Sequence, residues 1–348
     1  MSWWQFPCRK TQLWLDVTLS CGQSFRWRQD AGSGEWRSCL PGSLCVWRLK
    51  QTVDAVLYKL ESPSEKESIL LEESARQTLF DYFNFDVDLE SLYTEWQRAD
   101  RNFAEQSARL KGVRMLRQDP TETLFSFICS SNNNIERISG MVEKLCVTYG
   151  EYILEFDGRQ YYTFPVPHVL AAEGVEDKLR KLGFGYRAKY IHQTAKVLAS
   201  KPDGWLDELR KAPYREAHAE LLTLPGVGAK VADCICLMSL DKMDAIPVDT
   251  HMWQIAARDY KLKVTNKSLT TKVYNEIGDH FRKLFGQYAG WAHSVLFSAD
   301  FKKFQSIQVE RNKIESNVHV EDSPVHQEEV EANLVTSKSA AAKRKRII

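Results

Sequence analysis

Residues 10–60 alternate short apolar runs with turn-forming residues, and this pattern predicts β-strands. The predicted strands run from Leu13 to Leu15, Ser24 to Arg28, Leu44 to Leu49 and Val56 to Lys59. The glycine and proline residues between these runs favour turns, because they adopt backbone angles that turns require. The chain is therefore expected to begin with an antiparallel sheet.

From about residue 65 the apolar positions take on helical spacing. Asp119 and Pro120 form a favourable N-cap and first-turn pair for a helix that extends to about Ser130. Apolar residues then recur three or four positions apart from Ile135 to Tyr149, as they do in an amphipathic helix. The middle of the chain is therefore expected to be mainly helical.

The two patterns together predict an α+β fold. An antiparallel sheet with flanking helices is expected in residues 1–115, and a mainly helical body is expected in residues 116–305. Within that body, residues 150–165 are expected to be irregular or β, and helices resume at about 167–302. Apolar density falls after residue 305, so residues 306–348 are expected to be a disordered tail.

The tail ends in a short basic run, Lys343-Arg344-Lys345-Arg346. Such a run suits a nuclear localisation signal or an additional contact with phosphate. The alternative is a solvated tail that has no partner. We therefore expect the protein to act in the nucleus. The sequence does not decide whether a mitochondrial isoform exists.

Composition narrows the class of protein. The chain has 348 residues and a net charge of +1, so any nucleic-acid contact must use a local basic patch. Its eight cysteines lack the paired spacing of zinc ribbons and are expected to be reduced thiols. No apolar run is long enough to span a membrane, and the first residues lack the apolar core of a signal peptide.

The most informative stretch is residues 221–253. It predicts a glycine turn at Leu224 to Gly228, a helix from about Gly228 to Leu240, and a further helix that begins at Asp249. With the helix before the turn, this makes a helix-hairpin-helix unit at about 215–240. The N-terminus of the second helix offers unpaired N–H groups and a positive dipole end, which favour an anion such as phosphate.

The second helix of this unit is apolar or small on nearly every side, which indicates burial. Its only charged residues are Lys230 and Asp233. Desolvation and the helix dipole both disfavour an ammonium group in the first turn, so Lys230 is a candidate neutral amine that could attack carbon. Considered alone, the position favours a lysine that extends to solvent or pairs with phosphate.

Several segments between residues 10 and 302 carry a family resemblance. They are Cys21–Trp27, Phe125–Arg137, Gly183–Arg187, Leu224–Gly228 with Lys230, Pro247–His251 and Gly290–Asp300. In this order they resemble the eukaryotic 8-oxoguanine DNA glycosylases of the helix-hairpin-helix superfamily. The resemblance implies a bifunctional glycosylase and lyase that excises 8-oxoguanine opposite cytosine from duplex DNA after flipping the damaged nucleotide.

The resemblance assigns catalysis to Lys230 and Asp249. Lys230 would attack C1′ of the sugar and form a Schiff base, and β-elimination would then release the 3′ phosphate. Asp249 would stabilise the cationic transition state, although an aspartate here is also an ordinary N-cap for a helix that begins at Thr250.

Contacts with DNA phosphate are expected at Gly226, Val227 and Gly228 in the hairpin. His251 resembles the family's phosphate ligand next to the flipped nucleotide. The alternative for His251 is a histidine on the surface of a helix.

The lesion pocket is expected to contain Gly22, Cys234, Met238, His293 and Phe297. The Gly22 carbonyl would accept a hydrogen bond from N7–H of 8-oxoguanine, which guanine lacks, and this difference could contribute about 1–3 kcal/mol. Cys234 and Phe297 would enclose the base, and Met238 lies on the same helix stripe as Cys234. The alternative for Gly22 is a plain turn glycine.

One pocket position departs from the family, whose members usually have glutamine where this chain has His293. A neutral imidazole has one donor and one acceptor in fixed directions, so it reads the purine edge differently from an amide. Recognition is therefore expected to differ and could become pH-dependent. A glycosylase of altered lesion range stays open for this reason.

Four residues match the positions with which the family holds the orphaned cytosine and fills the gap in the stack: Asn132, Arg137, Tyr186 and Arg187. Arginine and asparagine can pair with the edge of a cytosine, and Tyr186 can wedge between bases. Without the resemblance, the run of asparagines would suit a helix cap and the arginines an exposed surface.

The resemblance implies no required cofactor and no catalytic metal, but it allows a structural monovalent cation at the hairpin carbonyls. An iron–sulfur cluster of the endonuclease III type is excluded because no cysteine follows Cys236. The expected partner is double-stranded DNA with 8-oxoguanine paired with cytosine, with no membrane, and a monomer is expected. The main alternative is a non-catalytic helix-hairpin-helix DNA-binding module, which would need neither Lys230 nor Asp249.

Overall fold

The structure is a computed structural model that describes residues 3–63, 70–262, 269–301 and 303–304. Residues up to Ala299 form one compact unit, and a second unit begins at Asp300. The tail predicted at 306–348, with its basic run, lies outside the described residues. The boundary predicted between residues 115 and 116 falls within the first unit and stays a prediction.

The described strands form two antiparallel sheets. The N-terminal sheet contains β1 Trp4–Pro7, β2 Arg28–Gln29, β3 Trp36–Ser38, β4 Val46–Gln51 and β5 Ala55–Glu61, in the order β1-β5-β4-β3-β2. A separate hairpin contains β6 Tyr152–Phe156 and β7 Arg159–Tyr162. The predicted N-terminal antiparallel sheet is therefore confirmed.

The strand predicted at Leu13 to Leu15 is wrong. Leu13 and Leu15 are fully buried, and the run leads into the short helix α1, Leu15–Thr18. A run of three apolar residues has no period, so it does not distinguish a buried strand from the start of a buried helix.

The strand predicted at Ser24 to Arg28 is mostly wrong, because only Arg28 and Gln29 pair with a neighbouring strand. Within this segment the Phe25 carbonyl accepts a hydrogen bond from the Arg28 side chain at 3.1 Å, and just before it the Gln23 carbonyl accepts one from the Gln118 side chain at 2.9 Å. These two carbonyls bond to side chains and not to a neighbouring strand, and the apolar pattern contains no signal for that.

Helices make up most of the remaining described chain. They are α2 Leu70–Tyr82, α3 Leu89–Ala99, α4 Arg101–Ser107, α5 Pro120–Ile128, α6 Ile135–Tyr149, α7 Pro167–Leu170, α8 Val175–Lys181, α9 Arg187–Ala199, α10 Trp205–Glu208, α11 Tyr214–Leu222, α12 Ala229–Ser239, α13 Thr250–Arg258, α14 Thr271–Phe285 and α15 Ala289–Ala299. The mainly helical body predicted from the sequence is confirmed. Across the described ranges, no helix has both the length and the apolar character needed to cross a membrane.

Capping side chains determine where several of these helices begin, among them α5, α6 and α13. Asp119 accepts the N–H three residues ahead of it at 2.8 Å, with Pro120 as the first residue of α5, as predicted. Asn134 caps α6 at 2.9 Å and Asp249 caps α13 at 2.9 Å in the same way. Each cap contributes about 1 kcal/mol, so local sequence determines where the adjoining loops end.

Buried contacts join the segment before β2 to α5. The guanidinium of Arg26 lies 3.2 Å from the Glu122 carboxylate, and both side chains are almost fully buried. Burial raises the pKa of Glu122, and the Arg26 charge opposes that rise. Phe25 also meets the ring of Phe127 edge-on, with centroids 5.5 Å apart. These contacts hold α5, and therefore the loop that follows it, against the sheet segment.

The turn between α11 and α12 depends on one glycine. Gly226 has a φ of +80°, and a Cβ at this position would lie 2.6 Å from the Cβ of Tyr190. Gly228, the N-cap of α12, has an ordinary φ of −97°, and a Cβ there would have no atom within 4 Å. The hairpin therefore requires glycine at 226 and tolerates a side chain at 228.

We expect Gly226→Ala to destabilise the protein by about 2–4 kcal/mol, because left-handed backbone strain adds to the overlap with Tyr190. The free energy of unfolding in urea measures this change. Gly228→Ala is the matched control and is expected to change that free energy by less than about 0.5 kcal/mol. Equal losses in the two variants would contradict the proposed difference between the two positions.

Candidate active site

A cavity of about 930 Å³ lies where α11, α14 and the first turns of α12 and α13 meet the loop after α5. Lys230 and Asp249 both line it, and Ser130 and Asn132 line it from the loop. The structure therefore brings the predicted nucleophile and the predicted carboxylate to one concave site, although they lie on different helices.

Lys230 is half-buried in the first turn of α12. Its Nζ lies 3.4 Å from the Ser130 hydroxyl and 5.1 Å from the centroid of the Phe127 ring. Phe127 lies near the end of α5 and Ser130 lies in the loop that follows it, so the amine points towards this part of the chain and not along the protein surface. The alternative of a lysine that simply extends into bulk solvent does not fit these contacts.

Asp249 is the N-cap of α13, and one carboxylate oxygen accepts the N–H of Met252 at 2.9 Å. The ordinary cap and the predicted catalytic group are therefore the same side chain. The cap bond uses Oδ1 and fixes the orientation of the carboxylate, while the half-buried residue still faces the cavity.

A group of rings lies behind Asp249. The His251 and Phe297 rings meet edge-on with centroids 5.0 Å apart, and His293 lies nearly parallel to Phe297 at 6.1 Å. His251 is half-buried, whereas His293 is almost fully buried. The structure thus brings together three of the residues predicted to bind the lesion and its phosphate.

The buried position of His293 determines its charge. Burial lowers the pKa of His293 to about 4, although the Asp249 carboxylate favours the protonated ring. Neither ring nitrogen makes a hydrogen bond of normal geometry within the described chain, although the Pro247 carbonyl is near enough to favour protonation. His293 therefore does not titrate near neutral pH, so it does not supply the pH-dependent recognition suggested from the sequence.

The other predicted pocket residues surround the same region but do not line the 930 Å³ cavity. Cys234 is buried, and burial raises the pKa of its thiol to about 11 while Lys230 opposes the rise. Met238 is buried farther along α12. Gly22 has a φ of +89°, and a Cβ there would lie 3.2 Å from Ile135 at the start of α6. Gly22 therefore has a turn conformation that glycine adopts readily and other residues do not, which fits the alternative of a turn glycine, and it lies beside the start of α6.

The residues predicted to hold the orphaned base form a second cluster. Arg187 donates hydrogen bonds to the carbonyls of Ser131 and Asn132, and Tyr186 donates to the Ser131 carbonyl at 3.1 Å. The Arg187 guanidinium also lies 4.6 Å from the centroid of the Tyr186 ring. Asn132, Tyr186 and Arg187 are therefore neighbours, as the resemblance implied.

The simpler interpretations, a helix cap and a surface arginine, do not hold for Asn132 and Arg187. Asn134, and not Asn132, caps α6, and Asn132 instead has a left-handed φ of +48°. Arg187 is 4% exposed and is not a surface arginine. Arg137, by contrast, is exposed in the first turn of α6, and its predicted contact with cytosine stays a prediction.

The hairpin presents the exposed N-terminus of α12, which no side chain caps. Gly226, Val227 and Gly228 lie here, as an anion site requires. The carbonyls of Leu224 and Pro225 already accept hydrogen bonds from Val227 and Thr194, so a cation would share these oxygens or use others. The monovalent cation stays a prediction. In the described part of the chain, no group of three or more His, Cys, Asp or Glu could hold a metal ion.

Sequence reasoning missed a buried polar cluster that borders the cavity. Asp233 on α12 accepts hydrogen bonds from the hydroxyls of Tyr214 on α11 and Tyr274 on α14. The only sequence signal was a charged residue on an otherwise apolar helix. Its partners lie 19 and 41 positions away, so no local pattern connects them.

Comparisons with known proteins all point to the same family. Residues 5–124 match the family described as the N-terminal domain of 8-oxoguanine DNA glycosylase. Residues 125–282 match the HhH-GPD superfamily of base excision DNA repair proteins. Together the two matches account for most of the chain.

The chain is 38% identical over 328 residues to the N-glycosylase/DNA lyase OGG1 of Arabidopsis thaliana, which covers 92% of this chain and 87% of that protein. It is also 38% identical over 323 residues to the N-glycosylase/DNA lyase of Saccharomyces cerevisiae, with 84% of each covered. A solved 8-oxoguanine glycosylase/lyase of Clostridium acetobutylicum, bound to double-stranded DNA with cytosine opposite 8-oxoG, superposes with a TM-score of 0.70 and 30% identity, covering 82% of this chain and 91% of that one. This chain therefore belongs to the eukaryotic 8-oxoguanine DNA glycosylase family within the HhH-GPD superfamily.

Proposed function

We propose that this protein is a bifunctional DNA glycosylase and abasic-site lyase that excises 8-oxoguanine opposite cytosine from duplex DNA. The observation that carries the proposal is the meeting of Lys230 and Asp249 at one cavity. The named activities of its relatives in Arabidopsis thaliana and Saccharomyces cerevisiae support it. A module that only grips phosphate would need the hairpin but not this pair.

In the proposed reaction, the bond between C1′ and N9 breaks and its electron pair leaves with the base, which takes up a proton. The lone pair of Lys230 Nζ forms a new bond to C1′, and loss of protons from nitrogen with opening of the sugar gives a Schiff base. Removal of a proton from C2′ then expels the 3′ phosphate. The Asp249 carboxylate stabilises the positive charge that develops at C1′ in the first step.

The proposed lesion contacts follow from the position of each side chain. Gly22 lies in the segment before β2, and its carbonyl would accept a hydrogen bond from N7–H of 8-oxoguanine. Phe297 and Cys234 would enclose the base. His293 would present a neutral imidazole to the purine edge, since its pKa of about 4 keeps it uncharged near pH 7.

The proposed contacts with the opposite strand use the cluster at the loop after α5. Tyr186 is 48% exposed, so its ring is available to enter the gap left by the flipped nucleotide. Asn132 and Arg187 lie beside it and would pair with the orphaned cytosine, with Arg137 reaching from α6. The hairpin N–H groups and His251 would hold phosphates.

We further propose that the protein acts in the nucleus on DNA repair and that no cofactor takes part in the reaction. The basic run Lys343-Arg344-Lys345-Arg346 supports nuclear targeting, and it lies outside the described residues. The Schiff-base route supports the absence of a cofactor, because the amine and the carboxylate supply the required nucleophile and charge.

Borohydride trapping tests the proposed nucleophile. We expect wild-type protein to form a covalent adduct with duplex containing 8-oxoguanine opposite cytosine, and Lys230→Gln to lose the adduct and slow excision by roughly 100-fold or more. Lys211→Gln, at an exposed lysine paired with Glu208, is the control and should trap normally. If the wild type forms no adduct with any of several lesions, the non-catalytic module is favoured.

Acid stability tests the buried state of His293. Its pKa is lowered from 6.5 to about 4, so below pH 6.5 the unfolded chain binds a proton that the folded chain does not. Stability should therefore fall as pH drops from about 6.5 to 4, by roughly 2 kcal/mol at pH 5. His293→Gln should lack this loss when unfolding free energies at pH 5 and pH 7.5 are compared.

The same variant tests recognition. Because His293 is neutral from pH 6 to 8, the shape of the excision profile over that range should not change in His293→Gln. A profile that differs between the two proteins in this range would show that the ring titrates in the lesion complex. A panel of damaged bases assayed with both proteins would reveal an altered lesion range.

A further inference from the structure

A buried polar cluster lines the same cavity, and in the described chain it makes no hydrogen bond to either proposed catalytic side chain. Asp233 lies one helical turn beyond Lys230 on α12 and is 1% exposed. One of its carboxylate oxygens accepts the Tyr214 hydroxyl at 2.5 Å, and the other accepts the Tyr274 hydroxyl. His218 approaches the first oxygen at 3.5 Å. The cluster thus joins α12 to both α11 and α14.

Tyr274 also connects the cluster to the segment that precedes Asp249. Its hydroxyl oxygen accepts the backbone N–H of Val248 at 3.4 Å and lies 3.3 Å from the Ile246 carbonyl. Val248 directly precedes Asp249. A single hydroxyl group therefore connects the helix that carries Lys230 with the segment that carries Asp249.

The Tyr274 hydroxyl is a donor to one partner and an acceptor from another. Burial and the Asp233 carboxylate raise the pKa of Tyr274, so its hydroxyl stays protonated and donates to Asp233. The same oxygen has lone pairs left for the Val248 N–H. Tyr214 also donates to Asp233, but in the described chain it makes no hydrogen bond with residues 246–249. The two tyrosines thus donate to the same carboxylate, but only Tyr274 also bonds to the backbone before Asp249.

A buried carboxylate with two tyrosine partners lowers the stability of the fold compared with an apolar residue at the same place. Removing a carboxylate from water costs several kcal/mol, and an apolar side chain of similar size would avoid this cost. Burial does raise the pKa of Asp233, against the opposing effects of His218 and its two hydroxyl partners. A requirement for fixed geometry between two helices explains why such a group occupies the core.

We propose that Asp233 and Tyr274 are positioning residues that set the placement of Asp249 relative to Lys230. The proposal rests on the proposed function, since it concerns the geometry of that reaction. Asp233 fixes the orientation of the Tyr274 hydroxyl, and that hydroxyl holds the backbone immediately before Asp249. Misplacement of a reacting group by about 1 Å can lower a rate by about 100-fold, so a small shift of this segment is sufficient to matter.

The test compares Tyr274→Phe with Tyr214→Phe. Each variant removes one hydroxyl from the same carboxylate, and Tyr274→Phe also removes the bond to Val248, so its loss of stability is expected to be the larger one. A purely structural role predicts that the rate constants of the two folded variants are alike. The readouts are the single-turnover rate constant for base release at saturating enzyme, and the Kd for duplex carrying a tetrahydrofuran abasic-site analogue. A urea midpoint for each variant records the change in stability.

We expect Tyr274→Phe to lower the rate constant by about 10–100-fold and to leave the Kd within about 3-fold of wild type. Tyr214→Phe should stay within about 3-fold in both measurements. Equal rate constants for the two variants, or a loss that appears only in Kd, would overturn the proposal.

If Tyr274→Phe does not fold, Asp233→Asn replaces it in the same assays. This variant keeps the shape of the side chain and the Tyr274 ring but weakens the bond that orients the hydroxyl. A wild-type rate constant in Asp233→Asn would also overturn the proposal. Failure of the wild type to form a borohydride adduct would instead refute the proposed function, so the two failures are distinguishable.

Discussion

The burial of α12 is the constraint on which the rest of the site depends. Every residue from Val231 to Leu240 is buried, so this helix contacts other elements on all sides. Close packing resists rotation or sliding of such a helix, because either movement would open voids against many neighbours at once. Only its first turn, from Gly228 to Lys230, is partly exposed. The orientation of the Lys230 amine therefore follows from core packing and does not depend on a flexible loop.

The placement of Asp249 follows from a different and more local interaction. Its carboxylate caps α13, and a cap residue has its backbone and side-chain angles restricted by the same bond. The segment before it is held by Tyr274. One predicted catalytic group is thus positioned by hydrophobic packing and the other by hydrogen bonds, and the cavity lies where the two kinds of restraint meet.

Sequence reasoning succeeded where the determining interactions are local. The starts of α5 and α13 were predictable because Asp119 and Asp249 precede helical patterns, and caps depend on neighbours within three residues. The burial of α12 was visible in its apolar composition. The absence of strands at Leu13 to Leu15 and Ser24 to Phe25 was not predictable, because nearby backbone groups bond to side chains far along the chain. The Leu15 N–H donates to Gln51, and the Gln23 carbonyl accepts a bond from Gln118.

The candidate site divides in the same way. Family resemblance located Lys230, Asp249 and the residues around Arg187, but it did not indicate that Arg187 is buried. Its burial depends on the loop after α5, where the left-handed backbone of Asn132 accompanies two carbonyls that accept bonds from Arg187. Asparagine adopts this conformation more readily than most residues, which explains its use here. Such a loop conformation has no periodic signature.

The charge state of His293 bears on how the carboxylate works in the proposed reaction. His293 lies close enough to Asp249 for the carboxylate to favour its protonation, yet burial keeps the ring neutral down to about pH 4. An imidazolium at this position would compete with the sugar for the negative charge of Asp249, because nearby opposite charges compensate one another strongly in a desolvated site. A neutral ring leaves that charge available to the cation that develops at C1′. A histidine at position 293 is therefore compatible with the proposed chemistry as long as the imidazole stays unprotonated, and its buried environment meets that condition.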